Sequence, residues 1–545
     1  MYRYEDLTRR TTPAVLAAVA AAHAERPFIL AEDGNLAYGE AAGLAARIAG
    51  GFRSLALRPG ERVGILLPNG SRWCATLLGA HAAGLTAVPL NTWYRGGELL
   101  AVARRAGLRA VITQEEIFGF ESGRQAAAIA SELGISAFLW PRGSSFVEGL
   151  PGSAGRSSLP AALDALIESP ARETDDALLL FTSGSTARPK AVRLTQGGLV
   201  ATAHAIGERQ GVRPEDRFWF ASPLFFVFGC SNALPNALTH AATLCLQERF
   251  EAASALAYIE QYRCTVYYAV APVTRALAAC PDLPRRDISS LRTGTANATP
   301  EDLRLAIEVL GVSQVCNAYG MTEGHGHTTI TAATDPADVR IGSQGKVLPT
   351  QELRIVADGS PAGPGVAGEI HIRGLISPGY LDPVPARHPG AASRGPDGSE
   401  SALVSGFGAD GWFRTGDIGY LDGDGNLHYV GRGHEMMKVK GINIAPAEVE
   451  TLLVQHDQVD EAFVFGLATP EGDQSVGCVL VSTVSPGERG ELVADVLGWM
   501  RGRAAAYKIP TAVRVIAPAD LPLTATGKVA KKLLQEQAQR SLSGT

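Results

Sequence analysis

One short segment constrains this chain more than any other: residues 178–195, which read LLLFTSGSTARPKAVRLT. Its apolar beginning predicts a short buried strand. The loop after that strand is built from small and hydroxyl residues, namely Thr182, Ser183, Gly184, Ser185 and Thr186. Such residues let N–H and O–H groups approach an anion closely, and Lys190 adds a positive charge. The segment therefore predicts a phosphate-binding loop, with a surface turn rich in serine and threonine as the alternative.

This loop differs from the Walker A type of phosphate loop. In Walker A a second glycine stands directly before the lysine, whereas here Pro189 precedes Lys190. The segment therefore predicts a nucleotide-phosphate loop of another kind.

Composition narrows the class of protein. A chain of 545 residues exceeds a single hydrophobic core and predicts two or more domains. A hydrophobic content of 46% is typical of a globular protein, and a net charge of −6 argues against a nucleic-acid partner. No apolar run is long enough to cross a bilayer, so we expect no stable membrane insertion. The seven cysteines form no CxxC pair, which indicates reduced thiols in a cytoplasmic protein.

The N-terminus allows two interpretations. Arg9-Arg10 followed by TTPAVLAAVAAAHA resembles a signal peptide with an A-x-A end. The alternative is an amphipathic helix with Thr12 as its N-cap and Pro13 at its first helical position. We favour the helix, and hence a cytoplasmic location, because the apolar part is short and rich in alanine.

The order of predicted elements indicates an α/β fold. Short apolar strands, such as residues 63–68 and 110–114, alternate with alanine-rich helices over the first ~430 residues, which is typical of layers with largely parallel sheets. The pattern restarts after Gly431-Arg432-Gly433-His434 with a new glycine turn, a helix from about Pro446 and further strands. We therefore expect an N-terminal domain over residues 1–432 and a small domain over residues 433–545.

A second motif, NAYGMTE at residues 317–323, brings an aromatic ring, a hydroxyl and a carboxylate to a predicted strand end. Tyr319 can stack on a purine, and Thr322 can bond a phosphate oxygen. Glu323 can hold Mg²⁺, which prefers a few carboxylates together with phosphate oxygens. A buried tyrosine followed by a helix-capping Thr/Glu pair is the alternative.

Two further motifs complete the set. In WFRTGD, Asp417 is expected in a turn at a strand end, where its carboxylate can accept both ribose hydroxyls, and Arg432 can reach the same sugar. A simple turn-forming role is the alternative for Asp417. In LPLTATGK, Lys528 follows a glycine near the C-terminus, which suits a mobile catalytic cation, with a helix N-terminal lysine as the alternative.

These four ordered motifs closely resemble those of the adenylate-forming superfamily of acyl-CoA synthetases, adenylation domains and luciferases. The sequence looks like a standalone acyl-CoA synthetase over essentially its whole length. That resemblance implies a large N-terminal domain of two α/β subdomains plus a β-barrel-like subdomain, and a small mobile α+β C-terminal domain. It also implies two half-reactions that use ATP, Mg²⁺ and coenzyme A. A carboxylic acid first gives acyl-AMP and pyrophosphate, and coenzyme A then displaces AMP.

The resemblance also assigns roles to residues. Lys528, Thr322 and Glu323 are expected to be catalytic, with Glu323 as the Mg²⁺ ligand; Lys528 would offset charge repulsion between the carboxylate and the α-phosphate. The phosphate-loop residues, Lys190, Asp417 and Arg432 are expected to bind the nucleotide. Further cofactor-binding positions are Ala296, Asn297, Asn317, Ala318, Tyr319, Gly320, Met321, Lys438 and Gly441, the last lining the pantetheine tunnel. The acyl pocket is expected to include Phe226, Val227, Phe228, Gly294, Gly324, His325 and Gly326, and the hinge is expected at His434.

Some positions depart from the family pattern. Ala187 and Ala191 replace usual glycines, and Phe226 stands where many acyl-CoA synthetases carry a histidine near the thiol path. Val227 stands where amino-acid-activating domains place an aspartate, which argues against an α-amino acid substrate. At the hinge, His434 replaces a usual aspartate or lysine.

Several alternatives stay open. The acyl-adenylate could pass to a carrier-protein phosphopantetheine instead of coenzyme A, or the chain could be a silent binding protein of the same fold. Fatty, aryl and polycyclic terpenoid-like acids all fit an apolar pocket, and a homodimer is compatible with the sequence. His325 and His327 at i, i+2 could share a strand face and bind zinc, but we favour an imidazole at the pocket floor.

Overall fold

The computed structural model of this protein describes residues 3–141, 149–150, 158–182, 190–297, 299–381, 406–433, 436–439, 442–468, 474–501, 503–504, 508–524 and 529–543. Its contacts divide the chain into two compact units. The first unit consists of Met1–Leu353, Ile372–Phe413 and Asp424–Leu427, and the second of Arg354–His371, Arg414–Gly423 and His428–Thr545.

Two largely parallel sheets form the frame of the first unit. Their strands are β1 Pro27–Ala31, β2 Leu36–Ala37, β3 Arg62–Leu66, β4 Thr86–Pro89, β5 Leu108–Gln114, β6 Ser136–Trp140, β7 Asp176–Thr182, β8 Lys190–Thr195, β9 Arg217–Phe220, β10 Thr243–Leu246, β11 Val266–Val270, β12 Thr293–Asn297 and β13 Gln314–Cys316. One sheet has the order β6-β5-β3-β4-β7-β8 and the other β13-β12-β11-β9-β10-β1-β2. The β1/β2 and β7/β8 pairs are antiparallel. Predominantly parallel pairing confirms the expected α/β class.

Helices cover these sheets. They are α1 Thr12–His23, α2 Tyr38–Ser54, α3 Ser71–Ala82, α4 Gly96–Ala106, α5 Ser122–Leu133, α6 Leu159–Ile167, α7 Gln196–Gln210, α8 Leu234–Thr239, α9 Ala252–Tyr262, α10 Ala271–Ala278, α11 Pro300–Arg304 and α12 Ala337–Gly342. Side chains from α1, α2, α3 and α8 join those of both sheets in one large apolar cluster. This burial, rather than helix propensity, stabilises the alanine-rich helices.

The first helix lies where it was predicted, but most of its residues are buried, so it is not amphipathic, and its cap also differs from the prediction. The N-cap is Thr11, one residue before the expected Thr12. Thr12 is already helical, and its N–H and its hydroxyl both donate to Oε1 of Gln196, at 3.1 and 2.9 Å. A tertiary contact therefore satisfies one of the N–H groups that have no partner within the helix at its N-terminus.

Two smaller sheets follow, and the first of them is antiparallel. β14 Ala318–Tyr319, β15 Thr329–Ile330 and β16 Lys346–Val347 form one sheet. The next five strands, with most of their residues in the second unit, are β17 Gln351–Ala357, β18 Ser360–Pro361, β19 Gly368–Gly374, β20 Phe413–Leu421 and β21 Leu427–Arg432. Their order is β18-β17-β19-β20-β21.

The rest of the second unit has α+β architecture. Its elements are β22 Met437–Val439, β23 Ile442–Ile444, α13 Pro446–Leu453, β24 Glu461–Ala468, β25 Gln474–Val481, α14 Arg489–Arg501, β26 Ala512–Ile516 and α15 Lys531–Ser543. β25 pairs antiparallel with β24 and parallel with β26. In the described residues of the whole chain, no helix is both long and apolar enough to span a bilayer.

Candidate functional site

The strands on either side of the predicted phosphate loop form an antiparallel pair. Leu178, Leu179 and Leu180 are buried in β7, as the apolar run predicted. Thr182 ends β7, Lys190 begins β8, and the two residues stand opposite each other in register. The fold therefore brings the two ends of the predicted loop together; Ser183, Gly184, Ser185 and Thr186 lie outside the described residues.

Lys190 and Glu323 meet at the hydroxyl of Tyr380. The Lys190 Nζ lies 3.4 Å from the Tyr380 hydroxyl oxygen and 5.0 Å from the centre of its ring. The same hydroxyl donates a hydrogen bond of 2.7 Å to Oε1 of Glu323. An ammonium group, a phenol and a carboxylate thus lie next to one another, in that order, within the first unit. We call these three residues the Lys–Tyr–Glu group.

Backbone pairing holds Tyr380 in this position. Residues 377–381 run beside β8: the Arg193 amide donates to the Gly379 carbonyl at 3.1 Å, and the Leu381 amide donates to the Ala191 carbonyl at 2.9 Å. On the other side, the Ser377 amide donates to the Glu323 carbonyl at 2.7 Å. Main-chain hydrogen bonds to β8 and to Glu323 therefore set the position of Tyr380. Such bonds are less adaptable than side-chain contacts.

Thr322 and Glu323 lie in a 3₁₀ turn, Thr322–Gly324, directly after β14. His325 ends this turn in a left-handed conformation with φ 59°. The amide of Thr195, at the end of β8, donates to Nε2 of His325 at 3.1 Å. Burial lowers the pKa of His325 to about 4, so its ring is neutral and accepts this bond. The imidazole therefore joins the Glu323 turn to the strand that begins with Lys190.

His325 is consequently a structural link whose ring is fully buried. Its carbonyl accepts from Ser231 Oγ and Asn232 Nδ2, both at 2.9 Å. His327 is also buried, and its ring lies edge-on to Phe228 with 6.1 Å between centroids. A place for His325 at the acyl pocket remains a prediction.

Asn317 and Tyr319 reach the start of the same turn. Nδ2 of Asn317 donates to the Ser343 carbonyl at 2.9 Å, and its Oδ1 accepts from the Ala318 amide at 2.9 Å. The nitrogen and the oxygen of the Asn317 side-chain amide thus each form a hydrogen bond within the protein. Tyr319 is buried in β14, while Thr322, Glu323 and Met321 are half-buried. Nucleotide contacts of Asn317, Ala318, Tyr319, Gly320 and Met321 remain predictions.

A positive φ and close neighbouring atoms explain two of the predicted pocket glycines. Gly294 has φ 132°, and a Cβ added there would lie 1.9 Å from the Tyr267 carbonyl oxygen. Gly326 has φ 106°, and an added Cβ would lie 2.2 Å from Oδ1 of Asn232. Packing alone therefore requires glycine at both positions. Ala296 is buried in β12, while the side chain of Asn297 lies outside the described part of the chain.

An aromatic group stands near the predicted acyl pocket residues. The ring of Phe226 contacts that of Phe225, with 4.6 Å between centroids, and lies edge-on to Trp93 at 5.8 Å. Trp93 is 41% exposed and Phe226 is half-buried, so this group borders solvent. Phe228, by contrast, is buried against Phe220 and Tyr268 in the large apolar core. Phe226 and Phe228, two residues apart, thus have different surroundings.

Asp417 and Arg432 form an ion pair in the second unit, with Oδ1 and Nη1 2.9 Å apart. The expected turn at Asp417 is wrong: Asp417 lies inside β20 and is 1% exposed. The residue before Asp417, Gly416, has φ 74°, which is outside the range usual for a strand. Glycine adopts this conformation without ending β20. The amide of Asp417 donates to Oγ1 of Thr415 at 3.0 Å.

Several predicted site residues lie outside the described residues, namely Lys528, His434, Gly441 and the side chain of Lys438. Conversely, sequence reasoning missed Tyr380. The only feature of the sequence that points to Tyr380 is the SPGY run at residues 377–380, in which proline and glycine precede an aromatic residue. Such a run is common in turns and does not by itself indicate a contact with Glu323.

Comparison with known proteins connects this geometry to a family. A sequence profile described as AMP-binding enzyme matches residues 16–381, and one described as AMP-binding enzyme C-terminal domain matches residues 448–528. Indoleacetate–CoA ligase of Aromatoleum aromaticum is 33% identical over 517 residues, covering 93% of this chain and 94% of that protein.

Two further proteins are similar over nearly the whole chain. The 3-[(3aS,4S,7aS)-7a-methyl-1,5-dioxo-octahydro-1H-inden-4-yl]propanoyl:CoA ligase of Rhodococcus jostii is 30% identical over 549 residues, covering 97% of this chain and 98% of that protein. The solved structure of o-succinylbenzoate coenzyme A synthetase from Bacillus subtilis, in complex with ATP and magnesium ion, has a TM-score of 0.74 and 26% identity. It covers 96% of this chain and 99% of that chain.

Proposed function

This chain belongs to the AMP-binding enzyme family, and on that basis we propose that it activates a carboxylic acid with ATP and transfers the acyl group to coenzyme A. In the first step a carboxylate oxygen attacks the α-phosphorus of ATP, and pyrophosphate leaves. In the second step the thiol sulfur of coenzyme A attacks the acyl carbonyl carbon, and AMP leaves as the thiol proton is lost. The products are acyl-CoA, AMP and pyrophosphate.

The Lys–Tyr–Glu group is the observation that carries this proposal. Lys190 supplies a positive charge at the end of the phosphate loop, and Glu323 supplies a carboxylate bonded at 2.7 Å by Tyr380. A carboxylate beside a phosphate site fits Mg²⁺, which binds through one or two carboxylates plus substrate phosphates. We propose that Glu323 holds Mg²⁺, which neutralises phosphate charge, while Tyr380 orients the carboxylate and Lys190 binds the phosphates.

Asp417 and Arg432 fit the ribose. A carboxylate that is almost fully buried needs a partner, and Arg432 provides one at 2.9 Å. The remaining acceptor capacity of the carboxylate suits two vicinal hydroxyl groups. We assign ribose binding to this pair, and we assign the cation that assists adenylation to Lys528. The domain boundary after residue 432 and the hinge at His434 belong to the same proposal.

The acid is proposed to carry a ring system. Two relatives are ligases whose named acyl groups contain fused rings, indoleacetate and the octahydroindenyl propanoate. In this chain, Trp93, Phe225 and Phe226 offer aromatic faces and edges that pack well on rings. Phe226 cannot donate a hydrogen bond to a carboxylate, which favours an apolar role. The seven buried free thiols support a reducing, cytoplasmic location.

A two-readout assay tests the proposal. Purified full-length protein is incubated with Mg·ATP and a panel of aryl, fused-ring and fatty acids. Pyrophosphate is measured as the first readout and acyl-CoA, by mass spectrometry, as the second. We expect acid-dependent pyrophosphate release, strongest with ring acids, and acyl-CoA when coenzyme A is added. Absence of pyrophosphate with every acid would support the silent binding protein instead.

The acceptor is decided by a matched comparison. Parallel reactions receive coenzyme A or a holo-carrier protein, with apo-carrier protein as the control. Acyl transfer to coenzyme A alone supports the ligase, whereas transfer to the holo-carrier alone would favour the carrier-loading alternative.

A further inference from the structure

A second group of chemistry-bearing side chains lies in the first unit and shares no residue with the Lys–Tyr–Glu group. His204 and Glu208 are four residues apart on α7, so they share one face of that helix. His240 directly follows α8. One nitrogen from each histidine and one oxygen from Glu208 lie within 4.8 Å of one another. We call these three residues the His–Glu cluster.

In one tautomer of His240 the free nitrogen faces the carboxylate. Nδ1 of His240 lies 3.0 Å from the Asn236 carbonyl oxygen and 3.1 Å from the Thr239 hydroxyl oxygen, and that hydroxyl donates to the same carbonyl at 3.1 Å. With the hydrogen on Nδ1, both of these oxygens accept from it. In the neutral ring the lone pair is then on Nε2, 3.3 Å from Oε1 of Glu208. Two acceptors that face each other require a cation between them, either a proton or a metal ion. A backbone carbonyl that orients a histidine is also a common feature around metal ligands.

His204 provides a second imidazole. Its ring stacks on that of His240 with 4.9 Å between centroids and on that of Tyr4 with 3.7 Å. Nδ1 of His204 is buried and has no hydrogen-bond partner among the described residues.

Charged groups and space around the cluster suit a cation with a water ligand. Glu5 Oε1 lies 3.8 Å from Nε2 of His204, and Glu208 adds a second carboxylate. Two positively charged side chains, which disfavour a bound cation, lie nearby. They are Arg10, whose guanidinium lies 5.6 Å from the Tyr4 ring, and Arg209. His204 and Glu208 line a cavity of about 600 Å³, which has room for water.

We propose that His204, Glu208 and His240 bind a divalent transition-metal ion, with Zn²⁺ as the best match. Two imidazoles and one carboxylate suit Zn²⁺, whereas Mg²⁺ and Ca²⁺ prefer oxygen ligands. Zinc–ligand bonds of about 2.0–2.2 Å in a tetrahedron place ligand atoms about 3.3–3.6 Å apart. The 3.3 Å separation of His240 and Glu208 matches this. The Glu208 side chain is 64% exposed and can rotate to bring its carboxylate closer to His204.

Such an ion would tie the C-terminal half of α7 to the end of α8. It is separate from the Mg²⁺ that ATP requires, because no Lys–Tyr–Glu residue takes part. Its role would be structural or regulatory, with water completing the coordination.

Metal binding is measured directly on the full-length protein after removal of metals with a chelator. Zn²⁺ titration is followed by calorimetry with excess Mg²⁺ and no ATP, so the result does not depend on the proposed ligase activity. Glu208→Gln keeps the size of the side chain and removes its charge. His23→Gln is the matched control, since His23 is half-buried at the end of α1 outside the cluster.

We expect one equivalent of Zn²⁺ in the wild type and in His23→Gln, and at least about tenfold weaker binding in Glu208→Gln. Co²⁺ added to the metal-free wild type should give the intense visible absorption of a four-coordinate ion, which is a readout that needs no variant. Weak, multiple binding that Glu208→Gln leaves unchanged would overturn the proposal. So would a metal-free wild type without the Co²⁺ signal, since a proton would then be the cation between His240 and Glu208.

Discussion

Replacing Tyr380 by phenylalanine tests the Lys–Tyr–Glu group most sharply. The substitution removes one oxygen atom and leaves the ring between Lys190 and Glu323. The lost bond to Glu323 is short, at 2.7 Å, and its acceptor is a carboxylate. The contact with Lys190 is long, at 3.4 Å, and contributes little. The effect should therefore come almost entirely from the loss of orientation at Glu323.

The magnitude follows from that bond. Hydrogen bonds to charged groups contribute about 1.5–3 kcal/mol, and the half-buried position of Tyr380 favours the lower end. A loss of about 1.4 kcal/mol corresponds to a tenfold change in rate. We expect roughly a tenfold decrease in kcat/KM for pyrophosphate release at limiting Mg²⁺. Higher Mg²⁺ should restore part of the activity, because a less well-oriented carboxylate still binds the ion when it is abundant.

Steady-state pyrophosphate release at several Mg²⁺ concentrations measures this effect. Tyr262→Phe is the matched control: Tyr262 is also half-buried, lies at the end of α9 and packs on Tyr258 with 4.6 Å between ring centroids. Thermal unfolding of both variants monitors folding. If Tyr380→Phe and Tyr262→Phe differ by less than twofold at every Mg²⁺ concentration, Tyr380 does not orient Glu323 for catalysis.

Four further predictions use the same protein. Lys528→Ala should slow adenylation by roughly 10²–10³-fold, while thioester formation from supplied acyl-AMP survives; equal loss in both half-reactions would contradict that role. Asp417→Asn should mainly raise the KM for ATP, as steady-state kinetics at varied ATP would reveal, and unchanged ATP parameters would remove it from the ribose site. Phe226→Ala should shift preference towards bulkier acids with nearly unchanged ATP parameters, which the acid panel measures. Finally, burial lowers the pKa of His81 and His325 to about 4, below the unfolded value near 6.5, so the unfolded chain binds more protons in this interval. Stability should therefore fall as the pH falls from about 6.5 to 4, and His325→Gln should reduce the dependence of Tm on pH.

Local sequence determined the elements that build the frame. The apolar runs at 63–68 and 110–114 are found as β3 and β5, and the run before the phosphate loop is found as β7. The helix expected from about Pro446 begins at that residue. These predictions succeeded because strand and helix signals depend on residues only a few positions apart. The family, too, was recognisable from short motifs, since each motif keeps its chemistry within a few residues.

Tertiary structure alone decided how the site residues are used. Tyr380 is 57 residues from Glu323 and 190 from Lys190, and it reaches both because residues 377–381 pair with β8. Asp417 was expected in a turn but lies buried within β20, where Arg432 meets it. The physical reason is the same in both cases. A polar group's role depends on which partners burial brings to it, and those partners are set by sheet order and strand pairing over long separations, which no local pattern records.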